Sequence, residues 1–203
     1  ANHNRMKAFL KVGKFVSFPL DVPQYLSSIN RTEASAADAE AKLTLPKDQI
    51  LHAQFWFIKT TPLDEVAFNH LFAGEIDKAE EIWQKRECLS ALQNRIVCAL
   101  IRNRYDSAIK CAEVLYGNTQ YLNQFVSTII GTGGNFDVSN LGFSFLDILC
   151  EEIGVSKLLP FITNRSWKEH IGEKTLKRLV DYIQDAINIA KKTKGKGSNA
   201  RLN

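Results

Sequence analysis

The chain has 203 residues with 11 Gly, 5 Pro and a formal net charge of +4. Against an average Gly-plus-Pro usage of about 12%, breakers this sparse exclude a low-complexity chain and disfavour folds of many hairpins, each of which asks for turn residues. A hydrophobic content of 45% with 24% charge can supply a buried core, and the mild charge is not the domain-wide basicity of a dedicated nucleic-acid binder.

The opening Ala1 to Leu10 carries no signal-peptide pattern, no initiator Met and no helix-start signal, and reads as the interior of a longer helix. Residues 2–12 are predicted helical, with Met6, Phe9 and Leu10 on an apolar edge and Arg5, Lys7 and Lys11 on a basic one, ended by Gly13. Residues 13–30 read as an ordered loop with one short turn, pinned by Phe15, Phe18, Leu20, Tyr25 and Leu26 around Pro19 and Pro23. Asn30 and Glu33 stand at capping-box spacing before an alanine-rich helix over 33–43. Pro46 suits the first turn of a helix running to about Lys59. Its Ile50, Leu51, Phe55, Trp56 and Ile58 are apolar over most of the girth, and its helical flanks outweigh the strand propensity of Phe55 to Ile58.

Thr61-Pro62 starts the next helix and Gly74 closes it. Further helices are expected at about 75–86, 89–102, 104–116, 119–130, 138–153, 155–162, 166–171 and 173–193, with Gly117, Gly131, Gly154 and Gly172 at C-terminal caps and Ser166 with Glu169 as a capping box. The last helix carries the cleanest stripe, Leu176, Leu179, Val180, Ile183, Ile187 and Ala190. The expected fold class is all-α. The expected layout is an N-terminal helical segment over 1–60, helix pairs over 61–131, a C-terminal helical lobe over 136–194 and a disordered basic tail over 195–203. Gly131-Thr132-Gly133-Gly134-Asn135 lacks the Gly-Lys-Ser/Thr ending of a phosphate loop and reads as a flexible connection.

Two stretches repeat at an offset of 29 residues. Each has a residue tolerant of a left-handed backbone (Gly74, Asn103), a large residue two on (Ile76, Tyr105), then Asp (Asp77, Asp106), and Ala five on (Ala79, Ala108). This is the pattern of a tight helix–helix turn: the large residue plugs the gap and the small one lets the helices approach. It resembles the second-helix half of a tetratricopeptide repeat. Leu63, Val66, Ala67 and His70 fit the first-helix half, whereas Arg95 and Ile96 depart from it in the second unit. The resemblance covers about 62–116 and implies antiparallel helix pairs stacked as a short right-handed superhelix. Upstream, Ala39 to Asp48 is similar to the end of a J-domain, and helix 2–12 would be that family's basic second helix. The loop that should carry His-Pro-Asp reads Phe18-Pro19-Leu20-Asp21 instead, so stimulation of a chaperone ATPase is not carried over.

The resemblance implies a non-catalytic protein–protein interaction module, a chaperone-associated scaffold, that takes a protein or peptide on the concave face of its first helices. The matching positions are Asp64, Phe68 and Leu71, then Gln93, Val97 and Leu100. They lack the Lys, Arg and Asn of a carboxylate clamp, so this apolar groove packs against a helix, either a partner's or the chain's own. The alternative is a nucleic-acid-binding helical protein using the basic residues Arg5, Lys7 and Lys11 with Lys191, Lys192 and Lys194.

No enzyme, metal or cofactor is expected. His3, His52, His70 and His170 are scattered, and the adjacent pairs Glu80-Glu81 and Glu151-Glu152 diverge by about 100° on a helix. The cysteines Cys88, Cys98, Cys111 and Cys150 have no CxxC spacing and read as reduced thiols. With no apolar run of about 18 residues, no membrane partner is expected, and the location expected is cytoplasmic.

Overall fold

Two left-handed turns organise the middle of the first of two compact units. In the computed structural model Gly74 has φ +81° and Asn103 φ +55°, the left-handed conformation that glycine takes freely and asparagine tolerates. Each reverses the chain between antiparallel helices: α4 (Pro62–Phe72) into α5 (Ile76–Gln84), and α6 (Leu89–Ile101) into α7 (Tyr105–Tyr116). Ala79 and Ala108 are fully buried where the helices approach. Glu80 on α5 is 6% exposed and ties the hairpins together through Arg102 and Arg104 at the second turn.

The structure describes residues 2–132, 136–162, 167 and 171–199, without the side chains of 2, 3 and 194–199. Among these are α-helices α1 (Asn2–Lys11), α2 (Glu33–Lys42), α3 (Pro46–Ala53), the four above, α8 (Thr119–Ile130), α9 (Leu141–Ile153), α10 (Val155–Ile162) and α11 (Glu173–Asn199), and no strand. The fold is all-α. The expected helix over 166–171 with its Ser166–Glu169 box, and the tail over 200–203, lie outside the described residues.

Two compact units divide the chain, Ala1–Ser139 and Asn140–Asn203. Residues 1–60, read as a separate segment, belong to the first. Its core gathers Phe68, Leu71, Ile76, Ala79, Trp83, Ala91 and Cys98 around Val22. Aromatic rings fill the middle: Phe57 and Phe68 meet edge-to-face at 5.8 Å, and Phe68 and Trp83 do so at 5.5 Å. In the second unit, α9, α10 and α11 enclose Phe145, Leu146, Leu158 and Trp167, with Thr175 and Arg178 hydrogen-bonded to Asp147.

Four expectations are corrected. Helix α3 stops at Ala53 rather than Lys59, because Gln93 and Asn94 on α6 supply hydrogen-bond partners to the next residues and remove the need for helical ones. Helix α2 is capped by Thr32 and Ser35, which exchange side-chain and backbone hydrogen bonds at 2.9 and 3.1 Å, and not by Asn30 and Glu33. Helix α11 packs through Thr175 and Leu179, while Leu176, Val180, Ile183 and Ile187 are exposed. That helix also continues through Gly195 and Gly197 to Asn199; once nucleated, each added residue sacrifices only propensity.

Candidate functional site

An open apolar groove of about 510 Å³ lies on the first unit. One wall is the irregular stretch between α1 and α2, through Leu20, Val22 and Leu26. The other is the segment after α3, through Phe55, Trp56 and Phe57, and the floor is the last turns of α6, through Val97, Leu100 and Ile101. Leu20, Leu26 and Trp56 are 52%, 42% and 40% exposed, so the rim offers large apolar surface to solvent. A contiguous apolar lining of this kind marks an interaction site more often than an isolated exposed leucine does.

Each wall is held in place by polar contacts to the rest of the unit. In the first, Val22 sits at φ +38° and ψ +58°, a region costly for a β-branched residue, while its side chain is 1% exposed. Asp21 next to it accepts hydrogen bonds from Arg31 at 2.6 and 2.8 Å and from the Phe18 amide at 2.9 Å. Tyr25 accepts from the Ile76 amide at 3.0 Å, and Gln24 donates to the Phe72 carbonyl at 3.1 Å.

The second wall is gripped from α6. Asn94 accepts from the Ile58 amide at 2.8 Å and donates to the Ile58 carbonyl at 2.9 Å. Gln93 Nε2 lies 2.8 to 3.3 Å from the carbonyls of Ala53, Gln54 and Trp56. Gln54 donates to the Tyr116 hydroxyl, whose ionisation burial pushes far up, so it stays a neutral phenol.

The Arg31 hydrogen bond holds the Asp21 carboxyl below the usual carboxylate range. A depressed carboxylate stabilises the fold above its unfolded value and loses that contribution as pH falls through the folded one. Acid unfolding of the first unit therefore steepens below about pH 4. Asp21→Asn is expected to flatten that limb while lowering stability at neutral pH, and urea melts from pH 7 to 2.5 check it.

The six residues expected on a concave binding face separate. Val97 and Leu100 line the groove. Asp64, Phe68, Leu71 and Gln93 are 1%, 8%, 0% and 0% exposed and serve the chain's own packing, which corrects their assignment to a partner. Asp64 accepts from Thr60, Thr61 and the Trp83 indole, Gln93 grips the 53–56 backbone, and Phe68 and Leu71 pack in the cluster with Val22, Tyr25 and Phe57. Among the described residues, non-helical segments through Val22, Tyr25 and Phe57 pack on that face. Trp56, Leu20 and Leu26 were missed as site residues. Their only sequence signal is large apolar residues in a stretch broken by Pro19 and Pro23 and after an early helix end.

The basic set separates too. Lys7 pairs with Glu40 at 2.6 Å, Lys11, Lys191 and Lys192 are exposed, and the Lys194 side chain lies outside the described residues. Of the histidines, His52 is exposed and His70 contacts Glu75 at 2.7 Å, while the His3 and His170 side chains lie outside the described residues. Burial pushes the Cys98, Cys111 and Cys150 thiols up. Among the described residues no three His, Cys, Asp or Glu side chains converge to hold a metal, and no helix is long and apolar enough to cross a membrane. No family model, curated protein or solved structure matches the chain.

Proposed function

We propose that the protein is a non-catalytic interaction module that takes an apolar segment of another protein chain in the groove between Leu20, Trp56 and Leu100. The observation that carries this reading is the exposed apolar rim set on walls held by buried polar contacts. Such a site is preformed, and preformed sites lose little affinity to ordering on binding. Trp56 at the rim is the residue type most often found as an interface hot spot.

The similarity of residues 1–58 to a degenerate J-domain, carried by Ala39 to Asp48 and the basic helix 2–12, supports a place beside chaperone machinery. Pro19-Leu20-Asp21 turns that loop to another use in this proposal: Leu20 faces the groove, Asp21 is tied to Arg31, and ATPase stimulation is no part of the reading. The similarity of 62–116 to tetratricopeptide repeats supports peptide binding, at a face shifted from the family's.

Selection of apolar peptides from a random library against the full chain tests the proposal. The expected ligands lose roughly 30-fold or more in affinity with Trp56→Ala or Leu100→Asp, the loss of a hot-spot contact. Ligands indifferent to both variants, or a selection that enriches none, would overturn it.

A further inference from the structure

A second depression, of about 390 Å³, lies between α1 and the residues that follow it. Its lining differs in kind from the apolar groove, because Arg5 and Lys14 enter it together with Phe9, Phe15, Ser17 and Phe18. The Arg5 guanidinium stands 5.4 Å from the Phe9 ring centroid and the Lys14 ammonium 5.9 Å from it, so one aromatic ring collects two cations. Neither cation has a carboxylate within ion-pair distance among the described residues. The nearby charges are already matched, Lys7 by Glu40 and Arg31 by Asp21. Phe15, beside Lys14, is 71% exposed.

Two unmatched cations ask for an anion, and an open aromatic face asks for a flat ring. A nucleotide supplies both in one unit. An acidic peptide would satisfy the cations and leave Phe15 in water. A lipid surface is met by side chains that project, not by ones that wall a depression. We infer that this depression takes a nucleotide unit, its base against the Phe15 ring and its phosphate between Arg5 and Lys14. A single strand and a free nucleotide share that chemistry. The site is separate from the apolar groove, and neither reading depends on the other.

The test is fluorescence anisotropy of the full chain with labelled oligo-dT and oligo-rU of roughly twelve nucleotides, in about 50 mM salt where electrostatic binding is strongest. Unlabelled AMP and UMP, phosphatidylcholine–phosphatidylserine vesicles and a poly-Glu peptide serve as competitors. Phe15→Ala is expected to weaken binding roughly tenfold, and Phe15→Trp to restore it. Arg5→Gln with Lys14→Gln is expected to reduce the slope of log affinity against log salt by about 0.7, one phosphate of a single strand. Displacement by AMP or UMP identifies the free nucleotide as the ligand, and binding that resists them identifies the strand; both support the inference. It is overturned if neither strand nor nucleotide binds, if the variants bind as the parent does while melting at the same temperature, or if vesicles or poly-Glu bind and nucleotides do not.

Discussion

Replacing Asp64 with alanine is expected to lower the unfolding free energy of the first unit by about 3–4 kcal/mol, close to the cost of breaking a buried charge network. The side chain is 1% exposed and accepts from the Thr60 amide at 2.9 Å, the Thr61 amide at 2.7 Å, the Thr61 hydroxyl at 3.0 Å and the Trp83 indole at 2.9 Å. Truncation strands the indole N–H in the core beside Phe57 and Phe68, and a buried unpaired donor costs about 1–3 kcal/mol on its own. It also unpairs the Thr60 and Thr61 amides just before α4 and so removes half of the capping box at its start. Asp64→Asn keeps the acceptor for Trp83 and is expected to cost less, about 1–2 kcal/mol. Urea melts followed by circular dichroism and by Trp fluorescence separate the two; equal losses would show that the indole contact contributes nothing.

Asn94→Ala is expected to act on stability and on the groove at once. Asn94 is fully buried and satisfies both backbone groups of Ile58. Removing it orphans one buried N–H and one buried C=O, a loss of about 2–4 kcal/mol and roughly 10 °C in melting temperature. Freed from α6, the segment through Phe55, Trp56 and Phe57 no longer holds one wall in place. Peptide affinity should therefore fall even where the variant stays folded, as a loop that must order on binding draws on the binding energy. Trp56→Ala serves as the contrast, with affinity lost and stability nearly unchanged, since Trp56 is 40% exposed. An Asn94→Ala protein that melts with the parent would show that α6 does not grip the segment.

Local rules were enough for much of the architecture. Gly74 and Asn103 announce their turns because only a few residue types accept a left-handed backbone, and Thr61-Pro62 announces the start of α4 in the same way. The end of α3 was not legible, because what ends it is Asn94, 36 residues further along the chain. Nothing within Phe55 to Ile58 shows that its backbone partners are side chains of another helix. The groove was half legible for the same reason. Val97 and Leu100 follow from the repeat pattern, while Leu20 and Val22 join them through long-range contacts such as Gln24 with the Phe72 carbonyl, 48 residues away. Asp64 shows the converse error. Its position fits a binding face, but an aspartate three residues into a helix with Trp83 in reach is a cap and a buried acceptor before it is a ligand contact.

Amide hydrogen exchange on the full chain, with and without a selected apolar peptide, tests the interaction groove most directly. Protection is expected in residues 20–26, 55–58 and 97–101, with exchange of α9 to α11 unchanged. Protection confined to any other part of the chain, or none at saturating peptide, would contradict the assignment of this groove as the binding site.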